Sequence, residues 1–398
     1  MGAEVIVNGL TKSFGRSTVW RDVSMDIPPG ELSVIIGPSG TGKTVFLKSL
    51  IGLIKPEKGQ IIIDGTDVCT CNEKQLYQVR KKFGVMFQDG ALFGSMNLED
   101  NIAFPLREHT HKTEKEIHRI VSEKMDMVGL AGDEKKYPGE ISGGMKKRVG
   151  LARGLVLDPE IILCDEPDSG LDPVRTALLA QQLVDVNAQI DATIVTVTHN
   201  IEMTRTMPDN IGMLFRGELV MFGPREMLLT SEDPVITQFV NGKKDGPIGM
   251  SEEKDEALAA KAAGTAPTDS ITDWDGPSHR PLAFVPQLEV SPGVPPRGGA
   301  ERRTERVLRT MHTLPVNAQR AIMDSLSPAD QARAQQLLRQ HGAGPGAGRP
   351  QPAAAGAPAG RRPSGPPPGR PQGGPQGRPQ QGDSSQGGGR PAPTFRPF

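Results

Sequence analysis

The chain has 398 residues and a formal net charge of −1, which is enough length for about two or three domains. The near-neutral charge gives no reason to expect specific nucleic-acid binding, and 3 cysteines are too few for a disulfide framework. No apolar run approaches the ~20 residues that cross a bilayer, and the N-terminus lacks the basic and apolar regions of a signal peptide. We therefore expect a cytoplasmic protein.

The first part of the chain predicts an antiparallel β edge. Residues 4–28 alternate, imperfectly, between apolar and polar side chains. Two aromatic residues in this stretch, Phe14 and Trp20, are candidates for stacking on a nucleotide base, because a purine ring packs well on an aromatic face. On local evidence Phe14 is equally well interpreted as a partly buried strand residue.

A glycine-rich loop follows the apolar run 32–36 and precedes a helical pattern over 45–53. Its spacing fits the P-loop motif G-x-x-x-x-G-K-[ST], and the flanking strand and helix favour that interpretation over a plain turn. The glycines let backbone N–H groups point inward, and the helix N-terminus adds positive charge. Lys43 would bind the outer phosphates and Thr44 would ligate Mg²⁺. The loop residues are Gly37, Pro38, Ser39, Gly40, Thr41, Gly42, Lys43 and Thr44.

Polar side chains stand at the ends of three later apolar strands. In an open parallel sheet, groups that bind ligands gather outside the carboxyl ends of the strands. Asp165 suits Mg²⁺, and Glu166 suits a general base that activates water. Gln88 is placed to reach Mg²⁺ or the attacking water, and His199 to contact the γ-phosphate. A solvated glutamine and a structural histidine are the alternatives for those two positions.

The region between these strands predicts helices. Residues 112–130 carry apolar side chains at helical spacing, and Ser142-Gly143-Gly144 opens a basic helix. A Ser-Gly-Gly turn at a helix start either binds an anion or simply caps the helix. The local sequence leaves both interpretations open. Residues 211–223 predict a closing hairpin.

Composition divides the chain into four parts. Residues 1–248 predict an α/β domain, with a helical subdomain at about 91–155, and residues 249–300 predict a linker. Residues 301–341 predict a small helical module that docks on a partner or on the first domain, since about 40 residues bury little surface alone. Residues 342–398 contain seven Arg, one Asp and no Lys, which predicts a disordered tail that solubilises the protein or touches anionic lipid or RNA.

In their order along the chain, these motifs resemble those of the ATP-binding subunit of ABC transporters, over roughly residues 4–248. The resemblance implies a P-loop ATPase core with a mixed sheet, an antiparallel β edge and a helical subdomain, and ATP with Mg²⁺ as its ligands. It implies that Phe14 stacks on adenine. It also implies that Ser142, Gly143 and Gly144 complete the ATP site of a second copy in a head-to-tail dimer.

A narrower resemblance starts from Met145, which stands where the family usually has Gln. Met145 and the segments 90–110 and 234–247 resemble the branch that powers MCE-type lipid transport systems (Mla and Mce). The long C-terminal extension resembles the shared ATPase of actinobacterial Mce lipid importers. This implies permease subunits contacted near 88–110, MCE-type substrate-binding proteins as indirect partners, and a position on the cytoplasmic face of the inner membrane. The alternatives are a small-solute importer and a soluble, non-transport ABC ATPase.

Overall fold

The computed structural model describes residues 2–15, 17–249 and 285–340. They belong to one unit, Met1–Ala347, while a second unit, Gly348–Phe398, lies outside the described residues. The predicted tail, and residues 250–284 of the predicted linker, therefore lie outside the description as well. Within the described ranges, no helix is long and apolar enough to span a membrane.

The described strands form two sheets. The first is antiparallel, has the order β2-β1-β4-β5 and contains the β edge predicted for residues 4–28. The second has the order β10-β9-β3-β8-β7-β6, and it is parallel except for β10. The predicted hairpin is confirmed as β9 and β10. The strands are β1 Val5–Phe14, β2 Ser17–Ile27, β3 Leu32–Ile36, β4 Lys58–Ile63, β5 Thr66–Asp67, β6 Phe83–Met86, β7 Ile161–Asp165, β8 Thr193–Val197, β9 Asn210–Phe215 and β10 Glu218–Pro224.

The central parallel strands are buried throughout and mostly apolar, because other elements cover both of their faces. Every residue of β3, β7 and β8 is buried, which is typical of parallel strands. Since these strands run in one direction, their carboxyl ends meet at one edge of the sheet. Their amino ends meet at the opposite edge.

Most helices of the first domain begin at a polar side chain that caps the first turn. Thr113 caps α4 through a capping box, in which the Thr113 hydroxyl oxygen accepts from the Glu116 N–H and the Glu116 carboxylate accepts from the Thr113 N–H. Helices α3, α4 and α5 share one apolar cluster, which includes Ile102, Val121 and Val149, and they form the predicted helical subdomain. The helices are α1 Lys43–Leu50, α2 Glu73–Lys81, α3 Leu98–His109, α4 Glu114–Met127, α5 Gly143–Leu155, α6 Pro173–Ile190, α7 Ile201–Thr206, α8 Arg225–Leu229 and α9 Pro234–Asn241.

Residues 285–340 run along the core formed by the two sheets and end in three helices. Residues 285–298, which we expected to belong to a linker, hydrogen-bond to the core; the N–H of Leu288, for example, donates to the Thr206 carbonyl oxygen at 2.8 Å. The helices are α10 Gly299–Thr310, α11 Val316–Ser325 and α12 Pro328–Gln340. They enclose a small cluster of buried side chains, which are Val307, Leu308, Met311, Ile322 and Ala334.

Candidate nucleotide-binding site

The glycine-rich loop lies between the end of β3 and the start of α1, as the motif predicts. Gly42 has a φ of 82°, and a Cβ at this position would lie 2.1 Å from Val19 Cγ1. A Cβ at Gly37 would lie 2.2 Å from the carbonyl oxygen of Leu214. Both positions therefore require glycine, and the tight turn that they allow directs backbone groups toward the loop interior.

Lys43 is held inside the loop that precedes it. Its Nζ donates hydrogen bonds to the carbonyl oxygens of Gly37 and Pro38, both at 2.8 Å. The side chain is only 6% exposed, and Thr41 tightens the same turn through a bond from its hydroxyl to Pro38 at 2.9 Å. The ammonium charge thus lies against the backbone that the motif assigns to phosphate binding.

Thr44 and Asp165 meet at the carboxyl edge of the sheet. The Thr44 hydroxyl donates to Asp165 Oδ1 at 2.8 Å. Burial raises the pKa of Asp165, the Thr44 hydrogen bond lowers it, and the nearby charge of Glu166 raises it further. A carboxylate that is costly to ionise in this place fits a cation, because a cation would offset the cost of burial.

The metal implied by this pair is Mg²⁺, and the oxygen donors present fit it. Mg²⁺ is usually held by one or two carboxylates, waters and substrate phosphates rather than by a protein cage. Consistently, among residues 2–15, 17–249 and 285–340 no group of three or more His, Cys, Asp and Glu side chains could hold a metal. Gln88, predicted as a further ligand, is exposed and follows the end of β6 by two residues.

Glu166 and His199 lie side by side at the ends of neighbouring strands. His199 Nδ1 is 3.6 Å from Glu166 Oε1, and both side chains are partly exposed. Glu166 has a φ of 44°, in the left-handed region that is strained for a residue with a Cβ. Its N–H donates to the Val197 carbonyl oxygen at 2.9 Å, which holds this conformation against β8. The Glu166 carboxylate therefore lies next to His199, just past the ends of β7 and β8.

Lys147 was not identified from the sequence, where it is one of three consecutive basic residues. Its Nζ donates to Ser169 Oγ at 3.0 Å and approaches the Glu166 carbonyl oxygen at 3.3 Å. Burial lowers the pKa of Lys147, and the charges of Asp168, Asp89 and Glu166 oppose that shift. The side chain connects α5 to the backbone of the candidate base, so α5 and the carboxyl edge are held together.

The Ser-Gly-Gly turn lies at the exposed start of α5. Ser142 Oγ accepts from the Met145 N–H at 3.3 Å, which is a helix cap. A Cβ at Gly143 would meet no atom within 4 Å, so this helix end is open to solvent.

The structure separates the two aromatic candidates for base stacking. Trp20 is fully buried and packs edge-on against Phe46, with ring centroids 6.1 Å apart. A buried indole cannot offer a face to a ligand, so Trp20 is a core residue. Phe14 is 51% exposed, and the Lys12 ammonium lies 5.0 Å from its ring centroid. Of these two candidates, Phe14 is the one that is exposed enough to stack on a nucleotide base.

The segment after β6 is ordered by two side chains that the sequence analysis did not identify. Asn101 is buried; it accepts from the Phe93 N–H at 2.8 Å and donates to the carbonyl oxygens of Phe93, Met96 and Asn97. Arg153 donates to the carbonyl oxygens of Gly90 and Ala91. The exposed ring of Phe93 packs on Phe104 with centroids 4.9 Å apart. The segment therefore presents a fixed aromatic surface.

A phosphate-binding loop, an adjoining acidic strand end and a strained glutamate define the class of P-loop nucleotide hydrolases. The model of the family described as "ABC transporter" matches residues 20–169. The chain is 62% identical over 337 residues to the "Probable ribonucleotide transport ATP-binding protein mkl" of Mycobacterium leprae (strain TN), covering 85% of this chain and 96% of that protein. The chain belongs to the family of ABC transporter ATP-binding proteins, and it is an ATP-hydrolysing subunit.

Two further comparisons extend this result. The "Intermembrane phospholipid transport system ATP-binding protein MlaF" of Escherichia coli (strain K12) is 38% identical over 234 residues, which cover 59% of this chain and 87% of that protein. A solved dimeric structure of "a post-hydrolysis state of the ATP-binding cassette MJ0796 bound to ADP and Pi" aligns with a TM-score of 0.52 and 29% identity, covering 56% of this chain and 98% of that chain. The predicted fold and family are therefore confirmed.

Proposed function

We propose that the chain powers a lipid transporter of the MCE type, as a homodimer bound to permease subunits at the inner face of the membrane. The observation that carries the lipid assignment is the similarity to MlaF, whose name describes intermembrane phospholipid transport. The aromatic surface over residues 88–110 supports it, because that segment resembles the MCE branch and its exposed Phe93 ring, packed on the partly buried Phe104, suits a docked helix.

The site supports a dimer with two shared nucleotides. Ser142, Gly143 and Gly144 lie at an exposed helix start that is suited to an anion. A second copy, placed head to tail, would supply this helix end to the phosphates of the first. Phe14 would stack on adenine. The dimeric state of a related cassette agrees with this arrangement.

Within each site, the residues take separate roles in the attack of water on the γ-phosphate of ATP. The loop backbone from Gly37 and the Lys43 ammonium bind and orient the phosphates. Thr44 and Asp165 would hold Mg²⁺, assisted by Gln88. When bound, the cation neutralises charge on the β- and γ-phosphate oxygens.

Glu166 acts as the general base and His199 orients the attacked phosphate. The Glu166 carboxylate accepts a proton as the water oxygen bonds to phosphorus, and the bond to the β-phosphate oxygen breaks. ADP and inorganic phosphate are the products. His199, 3.6 Å from Glu166 Oε1, is placed to contact the γ-phosphate next to the water.

One specific observation favours a second function. Mycobacterial relatives of the chain carry a name that describes ribonucleotide transport, including one that is 64% identical over 326 residues. A ribonucleotide is a small polar solute, so this reading corresponds to a small-solute importer. The two functions share the same ATPase chemistry and differ in the transported molecule.

The transported molecule is tested with the intact membrane complex. The complex is isolated through this subunit, its bound lipids are identified by mass spectrometry, and uptake of labelled lipid and labelled ribonucleotide is compared in cells. We expect bound lipid, and lipid uptake that Glu166→Gln abolishes. Ribonucleotide uptake that depends on Glu166, without any lipid uptake, would establish the second function instead.

A further inference from the structure

Three carboxylates are buried in the ATPase core near the amino ends of the parallel strands, opposite the candidate nucleotide site. Glu31 precedes β3, Asp209 precedes β9, and Glu226 lies in α8. Their exposed fractions are 2%, 1% and 2%. Burying a carboxylate without a partner is costly, so each of these positions demands a compensating charge.

Arginines of the C-terminal part supply that charge. Arg297 forms a paired contact with both carboxylate oxygens of Asp209. Arg303 Nη2 donates to the two oxygens of Glu226 at 3.0 and 3.1 Å, and its Nε is 3.4 Å from Asp209 Oδ1. The result is a small network in which Arg303 bridges two buried acids, Asp209 and Glu226, and Arg297 binds Asp209 as well.

The third arginine completes the set one turn further along α10. Arg306 Nε and Nη2 donate to Glu31 Oε1 and Oε2 at 3.0 and 2.6 Å. The same Nη2 also donates to Asn210 Oδ1 at 2.8 Å. This is the planar two-pronged contact for which arginine is suited and lysine is not.

The carboxylates are part of the sheet as well as partners of the arginines. Asp209 Oδ2 accepts from the Leu32 N–H at 2.9 Å, and the Asp209 N–H donates to the Leu32 carbonyl oxygen at 2.8 Å. Burial raises the pKa of Asp209, but Arg297 and Arg303 outweigh burial and hold that pKa at about 2. The charged pairs therefore fix the start of β3, the strand whose other end becomes the phosphate-binding loop.

We propose that residues 285–310 form an arginine strap that is an integral part of the ATPase core. Within the core, the buried Arg225 lies near Glu226 and Asp209 and its charge interacts with both. Arg297, Arg303 and Arg306 add direct ion pairs to Asp209, Glu226 and Glu31 from a distant part of the chain. The helices that follow enclose only a small apolar cluster, too little for independent stability. The strap therefore folds with the core, and its removal destabilises β3 and β9. This inference does not depend on the transported molecule.

The test uses the full chain and a matched pair of variants on one helix. Arg306→Gln removes a contact to the buried Glu31, whereas Arg309→Gln removes an exposed pair with Glu305. We expect Arg306→Gln to lower the ratio of folded to unfolded protein by about tenfold or more. Arg309→Gln should change that ratio by less than about threefold. Equilibrium unfolding in urea measures both, and hydrogen exchange should increase in β3 and β9 for Arg306→Gln alone.

A double variant separates charge compensation from general damage. In Glu31→Gln plus Arg306→Gln neither charge remains buried, so most of the stability lost by each single variant should return. Arg306→Lys, which keeps the charge, should be intermediate and serves if Arg306→Gln does not fold. Equal effects of the Arg306→Gln and Arg309→Gln variants, or a double variant as unstable as the sum of the singles, would overturn the proposal.

Discussion

The six-stranded sheet has one buried aspartate near the carboxyl ends of its parallel strands and another near their amino ends. The surroundings shift the pKa values of these two aspartates in opposite directions. At the carboxyl edge, burial raises the pKa of Asp165, and the neighbouring Glu166 adds to that effect. At the amino edge, the arginine strap holds the pKa of Asp209 at about 2 against burial. At the candidate nucleotide site, the charge of Asp165 is therefore not fully compensated by the protein, which fits the binding of a cation. The other edge is neutralised by the chain itself and serves stability.

The largest effect is expected at the nucleotide edge, from Glu166→Gln. Loss of the general base should lower ATP turnover by about 10²- to 10⁴-fold while nucleotide still binds, because the loop and Lys43 are unchanged. The unfolding temperature should stay near that of the parent chain. Steady-state ATPase of the complex with its permease measures the effect, with the exposed Glu202→Gln as control. Near-normal turnover would remove Glu166 from the role of base.

The next largest effect is expected at the opposite edge, from Arg303→Met. This change leaves Glu226 and Asp209 short of a buried partner. Breaking a buried pair by removing one member costs about 3–5 kcal/mol, which urea unfolding of the full chain will detect. ATP turnover per folded molecule should change little at temperatures where the variant is folded. A loss below about 1 kcal/mol would show that the strap contributes little.

A pair of matched substitutions tests the comparison directly. Asp165→Asn removes a charge that burial disfavours, so the nucleotide-free protein should become more stable, while ATP hydrolysis is lost. Asp209→Asn removes a charge that the fold favours, so stability should fall by about 2 kcal/mol. Thermal unfolding of both variants gives the two signs. Shifts in the same direction would contradict the contrast between the edges.

The sequence could predict which residues meet at the candidate nucleotide site because its signals are local, while the roles of those residues stay predictions. The loop at 37–44 is contiguous, and Asp165, Glu166 and His199 each follow an apolar strand, so the parallel topology is enough to bring them together. The family resemblance favoured Phe14 over Trp20 for base stacking, and the structure adds that Phe14 is exposed and Trp20 is buried; the stacking itself stays a prediction. Position within a regular strand pattern is therefore the information that made these residues predictable.

The strap could not be predicted by the same reasoning. Residues 285–300 were predicted as linker and residues 301–310 as part of a helical module, and neither prediction names a partner. The partners are far along the chain: Arg306 and Glu31 are 275 residues apart, and Arg297 and Asp209 are 88 apart. No pattern of period two or 3.6 records such a pair. Lys147 was missed for a related reason, since a lysine among basic residues is usually solvated and only the fold shows that it is buried.

The smallest effect is expected in how the stability contributed by Asp209, at the amino edge, depends on pH. The pKa of Asp209 is about 2 in the folded chain against an ordinary value of 3.8, so its ionised form stabilises the fold. That contribution is complete above pH 3.8 and is lost as pH falls toward 2. The stability difference between the parent chain and Asp209→Asn should therefore be constant from pH 7 to about 5 and narrow below about 4.

Urea unfolding of both proteins at a series of pH values measures this narrowing. The Arg309→Gln variant, whose lost pair is exposed, should differ from the parent chain by a small amount throughout, and so provides the baseline. A difference between the parent and Asp209→Asn that persists unchanged to the lowest pH at which both fold would mean that the aspartate acts through shape rather than charge. A difference that narrows would place the charge of Asp209, and hence the arginines that hold it, among the forces that stabilise the start of β3.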